Sequence, residues 1–508
     1  MADAVRRKAR SFLRIDPADG ASFYIKETFD FESNIFKNRI WYRGDSEELS
    51  QFYKSVGSAA TNGSRFWAAV PTIGRNIRKI HTGLPAMIID VLAGVVMSDL
   101  NDITVKPEKH QDTWKKIEKD NKFQELIEQA ITDVLVDGDG AFKVTIDTDI
   151  SQYPIVEFVT GENVEFNYRR GRLYEIIFKT PYIHKSNVYV LHETYGYGYI
   201  RSELHRGDQI IELNSIPQTE KVVPEVTFDK SFIMAKELMF TKSNKWKGRG
   251  RSIIDNKSDA FDSFDECWSQ WMEALRIGRA KEYIPEGMLP RNPYTGELLR
   301  PNAFDHAYIQ HDQANSETDK PQIEVIQPAI PHESYLSTYV TALDQCLQGI
   351  ISPSTLGIDT KKLDNAEAQR EKEKTTLYTR NKIVNKIQDV IPELIDIIFK
   401  SYNTLLKQPV EDIDAEVPFG EYANPSFESQ VETVAKGKQA GIMSIEAAVD
   451  ELYGDSKDEE WKAKEVLRLK EEQGIIEMEE QKVGDDLIDQ QDIMNNDKNK
   501  PSSEGGRN

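Results

Sequence analysis

Large apolar residues recur every three or four positions over residues 331–351, which predicts a helix with one apolar face. Pro353 disfavours helical geometry at Ser352, so this helix should end there. A similar pattern predicts a helix over residues 252–278, capped by Ser252. Both faces carry large rings that must be buried, so we expect the two helices to pack on each other. The expected contact residues are Phe261, Phe264, Trp268, Trp271, Tyr339, Leu343 and Leu347.

A longer helical pattern starts at Asn365 or Ala366 and runs to about Leu406. Its first half is mostly charged, and its second half is strongly apolar. Pro392 lies inside this pattern, where a proline costs about 3 kcal/mol in a straight helix. The sequence therefore predicts a kink or a restart there. On shape alone, these helices and the loop between them would also suit a helical hairpin in an ordinary α-rich domain.

Helical patterns occur upstream at residues 76–99 and 112–136. The second is followed by Asp137-Gly138-Asp139-Gly140, which is typical of a turn, and then by a strand pattern over Ala141–Ile146. From Pro154 to Phe240 the period changes to two, and glycines separate the apolar runs. This alternation predicts an antiparallel meander of short strands.

The remaining segments are less regular. Residues 280–330 contain six prolines and three short strand patterns, so they should form a small β-containing tip between the two aromatic helices. Residues 1–60 should form a peripheral arm with short helices. Residues 425–480 return to helical spacing, and the polar composition beyond Asp485 predicts disorder. These patterns together predict the α+β fold class.

Composition narrows the function. The chain has 508 residues with 39% hydrophobic and 29% charged content, which suits a soluble protein with sizeable cores. The longest apolar run, Leu84–Met97, contains Asp90 and is too short to span a bilayer. Cys267 and Cys346 are the only cysteines, so we expect no disulfide framework. The net charge is −21, and residues 411–508 supply 26 acidic and 11 basic residues, or −15 of it. A protein that grips nucleic acid should be basic over a large surface, and this one is not.

Motifs for enzyme or metal chemistry are weak. Gly248-Arg249-Gly250-Arg251-Ser252 lacks the lysine and the spacing of a Walker A motif, so it is interpreted as a turn. Asp137–Gly140 lacks the further acidic residues of an EF-hand loop. The eight histidines form no HExxH motif, and neither cysteine has a histidine nearby in sequence. We therefore expect no enzymatic activity, no catalytic or metal-binding residue and no cofactor.

The serial order of these parts resembles that of portal proteins of tailed bacteriophages, of the kind found in long-tailed phages of Gram-positive hosts. The resemblance covers roughly residues 30–475 and depends on order rather than on one motif. Its segments are Ile77–Val96, Asp133–Val144 (DVLVDGDGAFKV), Phe240–Asp255 (FTKSNKWKGRGRSIID), Gln322–Gly357, Asn365–Lys386 and Asn424–Glu472.

The resemblance implies a portal-like subunit with long stem and tunnel helices, an antiparallel β-rich wing, a small clip and a helical crown. The implied parts are the wing (61–247), stem helix 1 (248–279), the clip (280–330), stem helix 2 (331–352), a tunnel loop (353–365), a kinked tunnel helix (366–410) and the crown (411–484). The N-terminal arm (1–60) and the disordered acidic tail (485–508) are expected from the sequence pattern and composition, and the resemblance does not support them.

The resemblance also implies a ring of about twelve copies at one capsid vertex, through which double-stranded DNA is packaged and later ejected. A mostly acidic wall would let DNA slide, because each neutralised phosphate adds salt-dependent affinity. The loop residues that would face the channel are Ser354, Thr355, Leu356, Lys361, Lys362 and Asn365. Lys361 and Lys362 would either touch phosphates or remain a solvated pair.

Several partners are implied. The tip residues Arg291, Tyr294 and Arg300 would dock the terminase large subunit and later a head-completion or connector protein. Major capsid and scaffolding proteins would surround the wing, and no membrane is involved. The protein would reside in the virion, and in the host cytoplasm during assembly. The alternatives are another ring-forming virion scaffold, such as a baseplate or connector component, or a metal-dependent nucleic-acid enzyme.

Overall fold

The computed structural model describes residues 29–56, 65–70, 77–285, 291–297, 307–311, 324–358, 366–420, 427–453 and 459–472. The chain divides into two compact units, Met1–Gly420 and Glu421–Asn508. The first unit combines helices with sheets that are antiparallel apart from one strand pair. The α+β expectation is therefore confirmed.

The N-terminal helices belong to the core of the first unit. Helices α1 (Phe31–Arg43) and α2 (Ser46–Val56) are short, as expected. Trp41 is fully buried and its indole N–H donates to the Tyr53 hydroxyl at 2.8 Å. The expectation of a peripheral arm is wrong for the described part of it, because these aromatic residues are sealed inside the main core.

Helix α3 (Leu84–Ser98) starts later than its apolar pattern predicts. Gly83 has a left-handed φ of 70°, and residues 77–83 are not helical. Their amides bond to side chains instead: Ile80 donates to Ser269 Oγ at 2.9 Å, and Thr82 donates to Asp265 Oδ1 at 3.0 Å. Tertiary hydrogen bonds thus replace helical ones and correct the predicted start near Ile77.

The predicted helix over 112–136 is two helices, α4 (Gln111–Asp120) and α5 (Phe123–Asp137). Lys122 has a φ of 47° and breaks the helix between them. The side-chain amide of Asn121 donates to the carbonyl oxygen of Pro154 at 3.0 Å and accepts the amide of Val156 at 2.7 Å. The break therefore anchors the start of the following strand.

The predicted meander is divided between two sheets. One sheet has the order β10–β2–β3, from β2 (Gly140–Thr145), β3 (Ile155–Thr160) and β10 (Ala235–Leu238). The larger sheet has the order β4–β5–β6–β7–β8, with β9 also paired to β7. Its strands are β4 (Val164–Arg169), β5 (Arg172–His184), β6 (Asn187–Gly196), β7 (Tyr199–Arg206), β8 (Gln209–Ile211) and β9 (Glu225–Thr227). The strand pairs are antiparallel, as predicted. The expectation of a single sheet is corrected, because the strands form two sheets.

Two helices flank a small three-stranded sheet. Helix α6 (Ser258–Ile277) precedes it, and helix α7 (His332–Leu347) follows it. Its strands are β11 (Lys281–Pro285), β12 (Ala307–His311) and β13 (Glu324–Ile326), with β11 parallel to β12 and antiparallel to β13. The expected order of helix, β-containing tip and helix is therefore present.

Helix α6 begins six residues after the predicted cap at Ser252. The hydroxyl of Ser252 donates to the carbonyl oxygen of Leu135 at 3.0 Å and accepts the amide of Ile254 at 3.1 Å. Ser252 therefore fixes an irregular lead-in segment to the end of α5, which corrects its predicted role as a helix cap.

Helix α8 (Ala366–Leu405) is continuous over 40 residues, with Pro392 inside it, so the predicted restart is wrong. The apolar face of its second half is buried, and Leu394, Ile395 and Ile398 have no exposed surface. After α8, β14 (Asp414–Glu416) pairs antiparallel with β1 (Thr104–Lys106). Burial on several sides explains how the helix tolerates the proline.

The second unit is helical in its described part, as predicted for the crown. Helices α9 (Phe427–Gln439), α10 (Ile445–Tyr453) and α11 (Glu459–Glu472) follow one another. The rings of Tyr453 and Trp461 meet edge to face at 4.9 Å, and Lys470 pairs with Glu446 at 2.9 Å. The predicted disordered tail from 485 onward lies outside the described residues.

Candidate functional site

The structure brings the aromatic residues of α6 and α7 together. The Tyr339 ring centroid lies 5.0 Å from Phe264, 5.6 Å from Trp268 and 6.1 Å from Trp271. Trp271 also stacks on Tyr335 at 6.1 Å with an interplanar angle of 9°. Because Trp271 meets residues near the start of α7 while Lys257 meets Gln345 near its end, the helices run antiparallel.

Burial falls along this pair from one end to the other. Phe261, Leu343 and Leu347 are fully buried at the end that joins the main core. Toward the small sheet the exposed apolar residues are Leu275, Ile277 and Leu336, with 45%, 49% and 51% of their surfaces exposed. A cleft of about 390 Å³ opens there beside Tyr335. Such an uncovered apolar surface is typical of an interface.

Both cysteines lie within this helix pair as buried free thiols. Cys346 lies within the apolar core, and Cys267 is buried beside a small cleft that Gln270 and Ser334 also line. Burial raises the pKa of the Cys346 thiol to about 12, which keeps it protonated and unreactive at neutral pH. The cysteines therefore act as small apolar residues in the packing.

Two carboxylates on α6 hold the segments that precede α3, and sequence reasoning missed them. Asp265 accepts bonds from the hydroxyl of Thr82 at 2.9 Å, from His81 Nδ1 at 2.7 Å and from the indole of Trp67 at 3.3 Å. Asp262 accepts the amides of Phe66 and Trp67 at 3.0 and 3.3 Å. The signal was available in the sequence as two aspartates three residues apart, on the helix face next to the aromatic one.

The two glycine-rich segments of the sequence meet in space. Asp139, which is fully buried, accepts Arg249 Nε at 3.0 Å, Arg249 Nη2 at 2.8 Å and the amide of Gly250 at 2.5 Å. A Cβ on Gly250 would lie 2.0 Å from the carbonyl oxygen of Gly138, so only glycine fits this approach. We call this contact the Arg249–Asp139 clamp. The first segment joins α5 to β2, and the second is irregular chain that leads into α6.

A second ion pair adjoins this clamp. Arg39 from α1 donates to both carboxylate oxygens of Asp137, at 3.0 and 2.6 Å. Burial raises the pKa of Asp137 to about 6, although Arg39 opposes the shift. The two ion pairs together hold the α5–β2 connection between α1 and the lead-in to α6. They thereby fix the end of the α6–α7 pair that joins the main core, which we call the base of the helix pair.

The loop after α7 is held by hydroxyl groups on α8. The amide of Ser352 donates to Thr376 Oγ1 at 2.9 Å, and Thr355 Oγ1 lies 3.0 Å from the same hydroxyl. Of the predicted channel residues, Ser354 is exposed and Leu356 packs against the core. Lys361, Lys362 and Asn365 lie outside the described residues.

Of the predicted docking residues at the tip, Arg291 and Tyr294 lie on a short turn. The amide of Asn292 donates to the carbonyl of Glu297 at 2.8 Å, which closes this turn. Tyr294 is 95% exposed at its apex, and Arg291 donates to the carbonyl of Gly296 at 3.3 Å. Arg300 lies outside the described residues.

Among the described residues, no group of three or more histidine, cysteine, aspartate or glutamate side chains is arranged to hold a metal ion. Over the same residues, no helix has the length and apolar character needed to cross a bilayer.

Comparisons with known proteins give fold-level likeness only. No protein-family model and no curated protein matches the sequence. The chain is similar to a solved structure described as the neck of a native GTA particle computed with C12 symmetry, with 11% identity and a TM-score of 0.39 over 74% of this chain and 91% of that one. It is also similar to the neck of an empty GTA particle computed with C6 symmetry, with 11% identity and a TM-score of 0.34 over 74% and 93%.

Proposed function

We propose that the chain is a ring-forming structural subunit of the head–tail junction of a phage-like particle, and specifically its portal. In this role about twelve copies would surround a channel for double-stranded DNA, which is packaged through it and later ejected. The protein would reside in the virion, and the proposal gives it no catalytic activity. The observation that carries the proposal is the antiparallel pair α6–α7, which is buried at one end and exposes apolar side chains at the other.

The bare end supports assembly. Leu275, Ile277 and Leu336 leave apolar surface in water that a single copy does not cover. Burying a side chain of this size contributes about 1.5–3 kcal/mol, so side-by-side packing of pairs from neighbouring copies would be favourable. A heterologous contact of this kind closes into a ring when a whole number of equal rotations from copy to copy adds up to a full turn.

The charge distribution supports a conduit rather than a clamp on DNA. With a net charge of −21, the chain as a whole repels phosphates. A channel that passes DNA must avoid many phosphate contacts, since each one adds salt-dependent affinity. We propose that Lys361 and Lys362 are exceptions on the loop that faces the channel.

The first test is the mass of the purified full chain by mass photometry, followed by negative-stain microscopy. About twelve subunits of 58.1 kDa give a particle of about 700 kDa. A ring with a central hole is the expected result. A monomer at all salt and protein concentrations would refute the proposal.

The DNA channel and the partners need a separate test, because a baseplate or connector ring would share the hole but not the DNA path. The variant Lys361→Glu with Lys362→Glu should form normal rings that package or retain DNA differently. Unchanged packaging would remove the loop from the DNA path. The variant Tyr294→Ala should weaken binding of a terminase large subunit, and Tyr197→Ala, also exposed but in the wing, serves as its control. Head-completion, capsid and scaffolding proteins are the other proposed partners.

A further inference from the structure

A cleft of about 470 Å³ in the first unit is lined by cations, by apolar side chains and by hydroxyl and amide side chains. We call it the basic cleft. It lies between the lead-in to α6, residues 348–350 and the charged half of α8. Its cations are Arg251, Lys257 and Lys382, and no carboxylate lines it among the described residues. Three cations without an anion are unusual on a chain with 85 acidic and 64 basic residues.

The charges of the basic cleft are not neutralised within the described part of the chain. Neither Arg251 nor Lys382 forms an ion pair there. Burial lowers the pKa of Lys382, and Arg251 is close enough to lower it further. Lys257 donates to the carbonyl oxygen of Gln345 at 2.6 Å, which leaves its charge uncompensated. Two neighbouring cations repel each other, and this raises the free energy of the folded protein unless an anion binds beside them.

The apolar lining restricts the kind of anion. Leu135, Phe240 and Ile350 form part of the wall, and they offer nothing to a phosphodiester backbone. A peptide with a carboxylate beside an apolar side chain would satisfy both parts of the lining. Another copy of this chain presents such segments: Asp208 and Glu212 are exposed, form no ion pair among the described residues and flank Ile210, which is 64% exposed.

We propose that the basic cleft receives an acidic and apolar segment from a second copy of this chain, as a contact between neighbouring subunits. The proposal rests on the ring of the proposed function. In a heterologous ring the cleft and its occupant lie on different faces of the subunit, so every cleft is filled when the ring closes. The contact would join the base of the helix pair in one copy to the next copy.

Charge reversal tests this contact. In the double variant Arg251→Glu with Lys382→Glu, carboxylates would oppose carboxylates, and we expect the subunit concentration for half-maximal ring formation to rise about tenfold or more. The matched control is Lys386→Glu, which lies one turn further along α8, is exposed and does not line the cleft. The monomeric fractions of the wild type, the double variant and the control should have similar melting temperatures. If the reversed pair does not fold, Arg251→Gln with Lys382→Gln replaces it, with the same expected direction.

A cross-link identifies the occupant. Tyr378 lines the cleft and is 73% exposed, so a photo-reactive phenylalanine analogue in its place should react with whatever fills the cleft. After cross-linking of rings that carry the analogue at position 378, mass spectrometry should show a peptide from a second copy attached to it, and this peptide should contain aspartate or glutamate. Products confined to one chain, products with added DNA, or normal rings from the charge-reversed variant would each overturn the inference. A wild-type chain that forms no ring would instead refute the proposed function.

Discussion

The substitution Arg249→Ala should destabilise the first unit strongly, because it leaves a buried carboxylate without its countercharge. Asp139 has no exposed surface and accepts two guanidinium bonds, at 3.0 and 2.8 Å. After the substitution, only the amide of Gly250 would donate to it. Removal of one partner of a buried ion pair costs about 3–5 kcal/mol.

The Arg249 guanidinium has further contacts, and their loss adds to the destabilisation expected for Arg249→Ala. It donates to the carbonyl oxygens of Val164 and Gly161 at 2.6 and 2.5 Å, and its carbon lies 3.9 Å from the ring centroid of Phe31. A cation over an aromatic face contributes about 0.5–2 kcal/mol, depending on its desolvation. We therefore expect the upper part of the range for Arg249→Ala.

Urea unfolding followed by tryptophan fluorescence measures the free energy of unfolding for the wild type, Arg249→Ala, Asp139→Ala and the double variant. The double variant should be more stable than the sum of the single effects predicts, by about 2 kcal/mol or more, because no unpaired charge remains. The control is Arg172→Ala, an exposed arginine with no ion pair among the described residues, which should change stability by about 0.5 kcal/mol at most.

The pH dependence gives an independent check on the same residue. Burial raises the pKa of Asp139 above its ordinary value even with Arg249 present. Without Arg249 the folded-state pKa should rise further, so Arg249→Ala should regain stability as the pH falls from 7 toward 5. A loss within 1 kcal/mol of the wild type, or additive single effects with no recovery at low pH, would refute the role given to the clamp.

Three further predictions concern other parts of the first unit. Tyr339→Ala, which removes the ring shared by three aromatic partners, should cost about 2–4 kcal/mol in urea unfolding and lower the yield of rings. The rings of His192 and His205 stack at 4.0 Å, and burial followed by repulsion from His205 lowers the pKa of His192 below 6.5. The folded state therefore binds fewer protons, stability should fall as the pH drops below about 6.5, and His192→Gln should flatten a melting-temperature profile between pH 5 and 7. Gly250→Ala should prevent normal folding, whereas Gly94→Ala, whose Cβ would have no neighbour within 4 Å, should raise the free energy of unfolding by about 0.5–1 kcal/mol.

Elements with strong local periodicity could be predicted from the sequence. The start of α7, the antiparallel strand pairs of the meander and the contact between the stripes of α6 and α7 follow from spacing that any short window shows. The end of α7 was predicted four residues too late: the helix ends at Leu347 rather than Ile351, just before Gly349 with its φ of 76°. The long helix α8 was also predictable, but its continuity through Pro392 was not, because burial against the rest of the unit outweighs the local cost.

Features that depend on distant partners could not be predicted. The segment before Leu84 has a helical pattern, yet Ser269 and Asp265 on α6 take its amide hydrogens. Arg249 and Asp139 are separated by 110 residues, and only the glycines beside each hint that two backbones approach closely. Pairing of this kind is set by the closed fold, so no local window contains it.

The base and the outer end of the helix pair have opposite requirements, and this contrast links the two proposals. At the base, buried carboxylates such as Asp265 are fully bonded within one chain, so these carboxylates need no partner from another copy. At the outer end, Leu336 and Ile277 gain nothing until another surface covers them. A subunit built in this way is rigid where it joins its own core and incomplete where it would meet the next copy. The cations of the basic cleft have no ion-pair partner within the described part of their own chain. If a neighbouring copy covers the outer end, we expect that copy to supply the carboxylate as well. Ring formation should therefore weaken when either surface is altered, and it should weaken more than additively when both are altered, because both contacts form in one step.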